Sequence, residues 1–438
     1  MQCDIDHATK SNDGLTRTNQ PTIPGIQQPL PLIGDTCSFR YYFAMSKILK
    51  AGPVSRDITV LDDAWQSPET FAFLPDKLPS MSMDIPAVLD SLDAPYRSGH
   101  FALLTSGTTG EPKLVFGSKE RAENLVRVLH DCQKSEPVTE SIVSLPLTYC
   151  FSFVNQYLWS RVVGRRLSLT EGFAKPDELE TALASAQDAM LCLTGVQVPL
   201  LMKYFSGREF PGVIRIHFAG GRFPADKLPA LRESFPNAQV FNNYGCAEAL
   251  PRLTVRAAEA ATEPSHVGWP LPGVELKTSA DGSLMFRSEY GAVAQADRDG
   301  FRPITAEDWV ATGDLGEQKG DGHLELTARS SEVFKRFGEK ISIPSVLGCV
   351  SDVWADSVGT YRERDANEED GYVLVVSPQP DTATVRGILG ELRKNFSRAH
   401  WPLRIESVPD LPYLSNGKVD QAGLKNNSNL TQLWRQRI

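Results

Sequence analysis

FALLTSGTTGEPKLV, residues 101–115, decides how the rest of the chain is read. Phe101-Ala102-Leu103-Leu104 has the length and character of a buried strand. It passes at once into Thr105, Ser106, Gly107, Thr108, Thr109, Gly110, Glu111, Pro112 and Lys113. Glycines let backbone N–H groups converge on an anion, hydroxyls add donors and a lysine adds charge. The stretch is therefore either a solvent-exposed turn or a loop that wraps phosphate. A Walker A loop fits poorly, because Pro112 precedes the lysine and no Ser or Thr follows it.

The chain around this stretch has 438 residues, 41% of them hydrophobic and 23% charged, which suits a globular protein of two or more domains. The net charge is −9 and no Lys/Arg block stands out, which weighs against a nucleic-acid partner. Cys3, Cys37, Cys132, Cys150, Cys192, Cys246 and Cys349 are odd in number and form no CxxC pair. They read as reduced thiols of a cytoplasmic protein, without a disulfide frame or a zinc site. MQCDIDHATKSNDG at the start has no apolar core of a secretory signal. No run is long enough to span a bilayer, so no membrane partner is expected.

Residues 1–35 read as an irregular, proline-rich arm. Residues 38–52 carry apolar positions at helical spacing and end in glycine, which predicts a helix; 57–63 predicts a short strand. Downstream, apolar runs at 141–147, 189–195, 213–221 and 238–245 alternate with amphipathic stretches around Leu125, Val128 and Leu129 and around Leu228 and Leu231. That alternation predicts α/β layers on a largely parallel sheet. VELKT and SLMFRS, broken at Asp281-Gly282, predict a hairpin. The polar, glycine-rich stretch 316–331 reads as a hinge. Beyond it, strand 371–377, a helix with Val385, Ile388, Leu389, Leu392 and Phe396 on one face, and a strand at RIESVPDLP suffice for a small α+β domain.

SGTTGEPK (106–113) resembles the phosphate-binding loop of the adenylate-forming superfamily, which includes acyl-CoA synthetases, aryl-acid ligases, luciferases and nonribosomal-peptide adenylation domains. Further segments resemble that family's motifs in its order. They are FAGGRFP (218–224), NNYGCAE (242–248), HVGWPLPGVELK (266–277), TGDL (312–315), ARSSEVFKRFGEKISIP (328–344) and LPYLSNGKVDQAGL (411–424). The resemblance implies a large N-terminal ATP- and acid-binding domain over 1–327, with an abbreviated subdomain at 1–95. A small, mobile C-terminal lid would span 328–438.

The resemblance also assigns roles. Thr105, Ser106, Gly107, Thr108, Thr109, Gly110 and Lys113 would hold the phosphates of ATP, and Gly220 and Gly221 would let the nucleotide approach the backbone. Asn243, Tyr244 and Gly245 would receive adenine, Asp314 and Arg329 the ribose, and Glu248 a Mg²⁺ ion. Lys418 would be the catalytic lysine. Lys335 and Lys340 either meet phosphate in one lid position or the other, or form a solvated basic patch, and Gly338 would line a pantetheine tunnel after the lid rotates. The acid would sit among Tyr149, Cys150, Phe151, Gly195, Arg222 and Cys246. Cys150 stands where amino-acid-activating relatives carry Asp, which argues against an α-amino acid. Phe151 and Phe153 line either an acyl slot or a strand core. Arg222 pairs either with a polar group on the substrate or with a surface carboxylate.

The implied reaction joins a carboxylic acid, aryl or short acyl, to AMP with release of pyrophosphate, then passes it to CoA or to a carrier-protein phosphopantetheine. Adenylation alone, transfer to a non-thiol acceptor, or a non-catalytic nucleotide-binding protein remain alternatives. Ala247, Ala328 and Ser331 depart from the family's pattern, and the first hundred residues resemble it poorly.

Overall fold

A computed structural model describes residues 47–79, 81–106, 112–221, 223–260, 263, 265–413 and 419–436. The arm, most of the 38–52 segment, Gly107, Thr108, Thr109, Gly110, Arg222 and Lys418 lie outside the described residues, as does the side chain of Ser106.

Among the described residues the strands form four sheets. The first runs β1-β2-β3-β4-β14-β15, from Ile48–Lys50, Phe71–Leu74, His100–Ser106, Pro112–Ser118, Ala294–Asp297 and Gly300–Pro303. The largest has eleven strands in the order β12-β13-β16-β17-β11-β10-β9-β8-β7-β5-β6. Its parallel part is β5 (Glu140–Val143), β6 (Arg166–Leu169), β7 (Ala189–Leu193), β8 (Val213–Phe218) and β9 (Gln239–Tyr244). Its antiparallel part is β10 (Thr254–Ala257), β11 (His266–Pro270), β12 (Val274–Thr278), β13 (Ser283–Ser288), β16 (Val310–Gln318) and β17 (Leu324–Arg329).

The expectation of a largely parallel sheet needs correction, since antiparallel pairings outnumber parallel ones among the described residues. The cause is local. Beyond residue 250 the connections are tight turns such as Asp281-Gly282, and a tight turn can only join antiparallel neighbours. The 316–331 stretch is likewise no free hinge; it is β16, a turn at 319–322 and β17. Near the start, residues 48–50 are strand where a helix was expected, and the helix is Ala51–Arg56. Residues 57–63, expected as strand, open the helix Thr59–Gln66. Asp57 there turns its carboxylate back onto Thr59 N and Oγ1, a local bond that favours a helix start over a strand.

Burial explains the apolar runs. In β7, Met190 and Cys192 face one core while Leu191 and Leu193 face another. A strand covered on both sides shows no alternation. Phe71, Phe73, Phe101, Leu103 and Val115 of the first sheet share the core that receives Met190 and Cys192, so the two large sheets are bound by one apolar layer. The helix Lys119–Cys132 packs Leu125, Val126 and Leu129 into it, with Ser118 capping its start.

The last sheet, β20 (Ser357–Arg364), β21 (Asp370–Ser377), β22 (Arg404–Ser407) and β23 (Thr431–Arg435), packs on the helices Ile343–Ser351 and Thr382–Asn395. Val385, Ile388, Leu389 and Leu392 are the buried stripe of the second helix, as its periodicity predicts. Ahead of it, β18 (Val333–Arg336) and β19 (Glu339–Ser342) make a separate hairpin. No helix among the described residues is long and apolar enough to cross a membrane.

Candidate active site

Parallel strands place their carboxyl ends on one edge of a sheet, and that edge is where α/β proteins bind ligands. Here β5 ends before Ser144, β7 before Thr194-Gly195, β8 before Ala219-Gly220-Gly221, and β9 delivers Tyr244-Gly245-Cys246. Gly195, Gly220, Gly221, Asn243, Tyr244, Gly245 and Cys246 thus stand along one edge because of topology alone, whereas Thr105 and Lys113 come from the first sheet and Asp314 and Arg329 from antiparallel strands.

Tyr244 OH donates to Asp314 Oδ2 at 2.7 Å, and Arg329 Nε lies 3.1 Å from Asp314 Oδ1. Asp314 and Arg329 are opposite partners in the β16–β17 ladder, which fixes the second contact. The Asp314 backbone N–H donates to Thr312 Oγ1 at 3.0 Å. Burial first, then the Asp314 carboxylate, hold the Tyr244 phenol far above its usual range. A carboxylate with two oxygens is the group that can accept from both hydroxyls of a diol.

A second pair lies beside it. Lys113 Nζ forms an ion pair with Glu248 Oε1 and donates to Gln295 Oε1 at 3.4 Å. Both charged side chains are largely buried. Thr105 stands opposite Lys113 in the β3–β4 ladder, and its Oγ1 is buried without a hydrogen-bond partner among the described residues. Glu248 sits in the 3-10 turn Ala247–Ala249, which ends in Leu250 at φ +53°. A buried leucine in the left-handed region is strained, and such strain gathers at functional turns.

Asn243 Nδ2 donates to Phe218 O at 3.0 Å across the β8–β9 edge, leaving Oδ1 buried and unpartnered. Gly220 adopts φ +79°, and a Cβ on Gly221 would meet nothing within 4 Å among the described residues. Gly245 differs: a Cβ there would fall 1.9 Å from Pro251 O. Its glycine is demanded by the chain folding back on itself.

On the acid side, Tyr149 precedes the helical run Cys150–Ser152, Phe153–Leu158 and Trp159–Val163. Phe151 and Phe153 are therefore helical. Phe153 is core and Phe151 is half-buried, which corrects the strand alternative. Cys150 Sγ lies 3.9 Å from Ala247 O. Burial raises the thiols of Cys150 and Cys246, and the nearby Glu248 carboxylate raises both further. Both act as small apolar surface there. Gly195 opens a 3-10 turn whose Thr194 N donates to Gln197 Oε1 at 2.9 Å.

Lys335 and Gly338 lie on the β18–β19 hairpin, with no hydrogen bond or ion pair to the Tyr244–Asp314 cluster among the described residues. Lys335 stands directly opposite Lys340, and Gly338 adopts φ +81°.

The residue types fit nucleotide and metal. An orphaned hydroxyl, Thr105 Oγ1, stands opposite the Lys113 cation that pairs with the hard Glu248 carboxylate. Mg²⁺ beside phosphates needs only one or two carboxylates, and the Lys113 ammonium already occupies such a position on Glu248.

Sequence reasoning did not single out Arg252 or His217, both fully buried at this edge, or Gln295. The signal for Arg252 was present, an arginine between Pro251 and Leu253 in the otherwise uncharged ALPRLTV.

Residues 43–284 match the AMP-binding enzyme family. The non-ribosomal peptide synthetase CmlP of Streptomyces venezuelae is 25% identical over 364 residues, 78% of this chain and 36% of CmlP. The 2-succinylbenzoate–CoA ligase of Oceanobacillus iheyensis is 25% identical over 342 residues, 72% of this chain and 67% of that ligase. The chain thus spans only about a third of the first relative's length. Among solved structures, O-succinylbenzoate coenzyme A synthetase (MenE) from Bacillus subtilis in complex with AMP superposes with a TM-score of 0.63 at 18% identity, over 87% of this chain and 82% of that one. That likeness concerns the fold.

Proposed function

The chain belongs to the AMP-binding enzyme family, and on that premise we propose that it activates a carboxylic acid with ATP and hands the acyl group to a thiol. The carrying observation is the Tyr244–Asp314–Arg329 chain of contacts beside the Lys113–Glu248 pair, along the carboxyl edge of the parallel strands.

In the first step a carboxylate oxygen bonds to the α-phosphorus of ATP, and the bond to the bridging oxygen breaks to release pyrophosphate. Two anions must meet. Lys113, the hydroxyls around Thr105 and the ammonium of Lys418 offset the charge that develops on the phosphoryl oxygens. Mg²⁺ on Glu248 would supply the same neutralisation at the leaving group. Asp314 orients the ribose, Arg329 holds Asp314, and Tyr244 with Asn243 receives adenine. In the second step a thiolate attacks the acyl carbon and AMP leaves. CoA or a carrier-protein phosphopantetheine supplies the thiol.

Residues 328–438 form the lid in this reading, with Ser331 at the turn Ser330–Glu332 that follows β17. Closure of the lid delivers Lys418. The relatives include a CoA ligase and a peptide synthetase, which favours a thiol over other acceptors.

Acid-dependent exchange of pyrophosphate into ATP tests the first step without any acceptor. Exchange that disappears in Lys418→Ala supports the reading. A folded protein that yields ADP and phosphate, or one whose Lys418→Ala variant exchanges at full rate, overturns it.

A further inference from the structure

Buried arginines in this protein serve visibly as clamps on backbone carbonyls. Arg165 donates to Val138 O and Ser135 O, Arg215 to Gln133 O and Lys134 O, Arg256 to His266 O and Ala258 O, and Arg336 to Trp401 O and Asp365. Arg252 does not follow this pattern. It is fully buried, and its Nε and Nη2 both donate to a single oxygen, Asn155 Oδ1, the first at 2.7 Å. It donates to no backbone carbonyl among the described residues, and Nη1 has no partner there at all.

The surroundings do not cancel its charge. Burial lowers the guanidinium's pKa to about 9, the Cys192 thiol and the Phe151 ring favour its charged form, and no carboxylate pairs with it among the described residues. His217, also fully buried, has the facing Asn243 amide beside its ring and no carboxylate partner among the described residues. Burial, then Arg252, Arg215 and Arg165, push His217 well below its usual range, while the facing Asn243 amide opposes them. An uncompensated buried cation costs several kcal/mol unless an anion answers it.

Position ties this cation to the site. Arg252 belongs to the turn between β9 and β10 that carries Glu248, and Leu253 N closes that turn onto Tyr244 O at 2.8 Å. Its guanidinium lies 5.7 Å from the Phe151 ring, on the helical run whose first residue, Cys150, touches Ala247. Asn155, which holds Arg252, is itself held by Phe151 O at 2.8 Å. Cys150, next to the Glu248 turn, half-buried Phe151 and fully buried Arg252 are thus joined by direct contacts.

We infer that the acid activated here carries a second anionic group, remote from the reacting carboxylate, and that Arg252 Nη1 receives it. This rests on the adenylation reading above. A neutral acceptor would fill the hydrogen bond but leave the charge unanswered; a carboxylate does both. Phe151 packs on the apolar spacer between the two ends, and must rotate to admit it.

The test is ATP–pyrophosphate exchange with matched acids, adipic against hexanoic and isophthalic against benzoic, in the wild-type chain and in Arg252→Met. The wild type is expected to favour one dianionic acid over its monoanionic counterpart by about 30-fold or more in kcat/KM. In Arg252→Met that preference collapses, mainly through KM, while exchange with the monoanionic acid survives. Methionine removes the charge and keeps most of the volume, and urea unfolding confirms that the variant folds. Should it not fold, Arg252→Lys, which keeps the charge but loses the planar fork, is expected to weaken the preference by about tenfold. A wild type that prefers the monoanionic acids, or a preference unchanged in the folded variant, overturns the inference and leaves adenylation standing. Silence with every acid, despite bound ATP, overturns the adenylation reading and this inference with it.

Discussion

Tyr244 and Asp314 stand seventy positions apart and share a buried 2.7 Å hydrogen bond from phenol to carboxylate. The bond ties the end of the parallel strands to the antiparallel half of the same sheet, and Arg329 grips the carboxylate from its other oxygen. Tyr244→Phe removes the donor and leaves the ring. A hydrogen bond to a charged group contributes about 1.5–3 kcal/mol, so urea unfolding is expected to show a loss near 2 kcal/mol. Because the ring survives, the KM for ATP rises only a few-fold with kcat nearly unchanged. A variant as stable as the wild type would show that the Asp314 carboxylate does not depend on the Tyr244 phenol.

Glu248 is paired with Lys113 within the site, so the two are coupled. Glu248→Gln keeps the shape and removes the charge that a hard cation needs. Exchange is expected to fall about 100-fold or more, as when one electrostatic group aimed at developing charge is lost. The remaining activity needs far more Mg²⁺ to saturate. Measured Mg²⁺ dependence identical to wild type would remove Glu248 from the metal's coordination and leave it as a partner of Lys113 only.

The fold's alternation, its hairpin and the helix Thr382–Asn395 were legible because each obeys a local period. The strands β5, β7, β8 and β9 announced themselves as apolar runs since both faces are covered. The start was misread because short elements near residue 50 are set by long-range pairing of β1 with β2, which no local pattern encodes. In the site, motif spelling brought Tyr244, Asp314, Arg329 and Glu248 forward. It did not announce that Lys113 pairs with Glu248, since that contact depends on how the turn after β9 folds against the start of β4. Arg252 was hidden for a related reason: whether a lone arginine is clamped or unanswered is decided entirely by its tertiary neighbours.

Two glycines separate architecture from function. A Cβ at Gly245 would fall 1.9 Å from Pro251 O and 2.9 Å from Arg252 N, both backbone atoms that cannot yield without moving the turn. Gly245→Ala is expected to cost about 3 kcal/mol or more, at the upper end for overpacking, and to lower the unfolding midpoint visibly. Gly221→Ala meets nothing within 4 Å among the described residues and keeps an ordinary φ. It should unfold like the wild type, yet raise the KM for ATP if the nucleotide approaches that backbone. Equal ATP kinetics in a folded Gly221→Ala protein would place the nucleotide elsewhere.

Lys119 gives the protein a pH dependence remote from the site. Its ammonium, at the start of the helix Lys119–Cys132, donates to Ala64 O at 3.1 Å, Ser67 O at 2.6 Å and Glu69 O at 3.2 Å. It sits over the rings of Trp65 and Phe71. Burial lowers its pKa to about 8, with Glu69 opposing. The folded state therefore binds fewer protons than the unfolded state between about pH 8 and the ordinary lysine value near 10.5. Below pH 8 the cost of burying the charge is carried in full; as pH rises through the window it is relieved, and stability from this group increases. Lys119→Met removes the titration and leaves the other groups in place. Urea unfolding of both proteins at pH 7 and pH 10 should show the wild type gaining about 1–3 kcal/mol on the variant across that interval. A gap that stays constant or narrows with pH would mean that the three carbonyls fully compensate the ammonium, and that Lys119 is charged throughout.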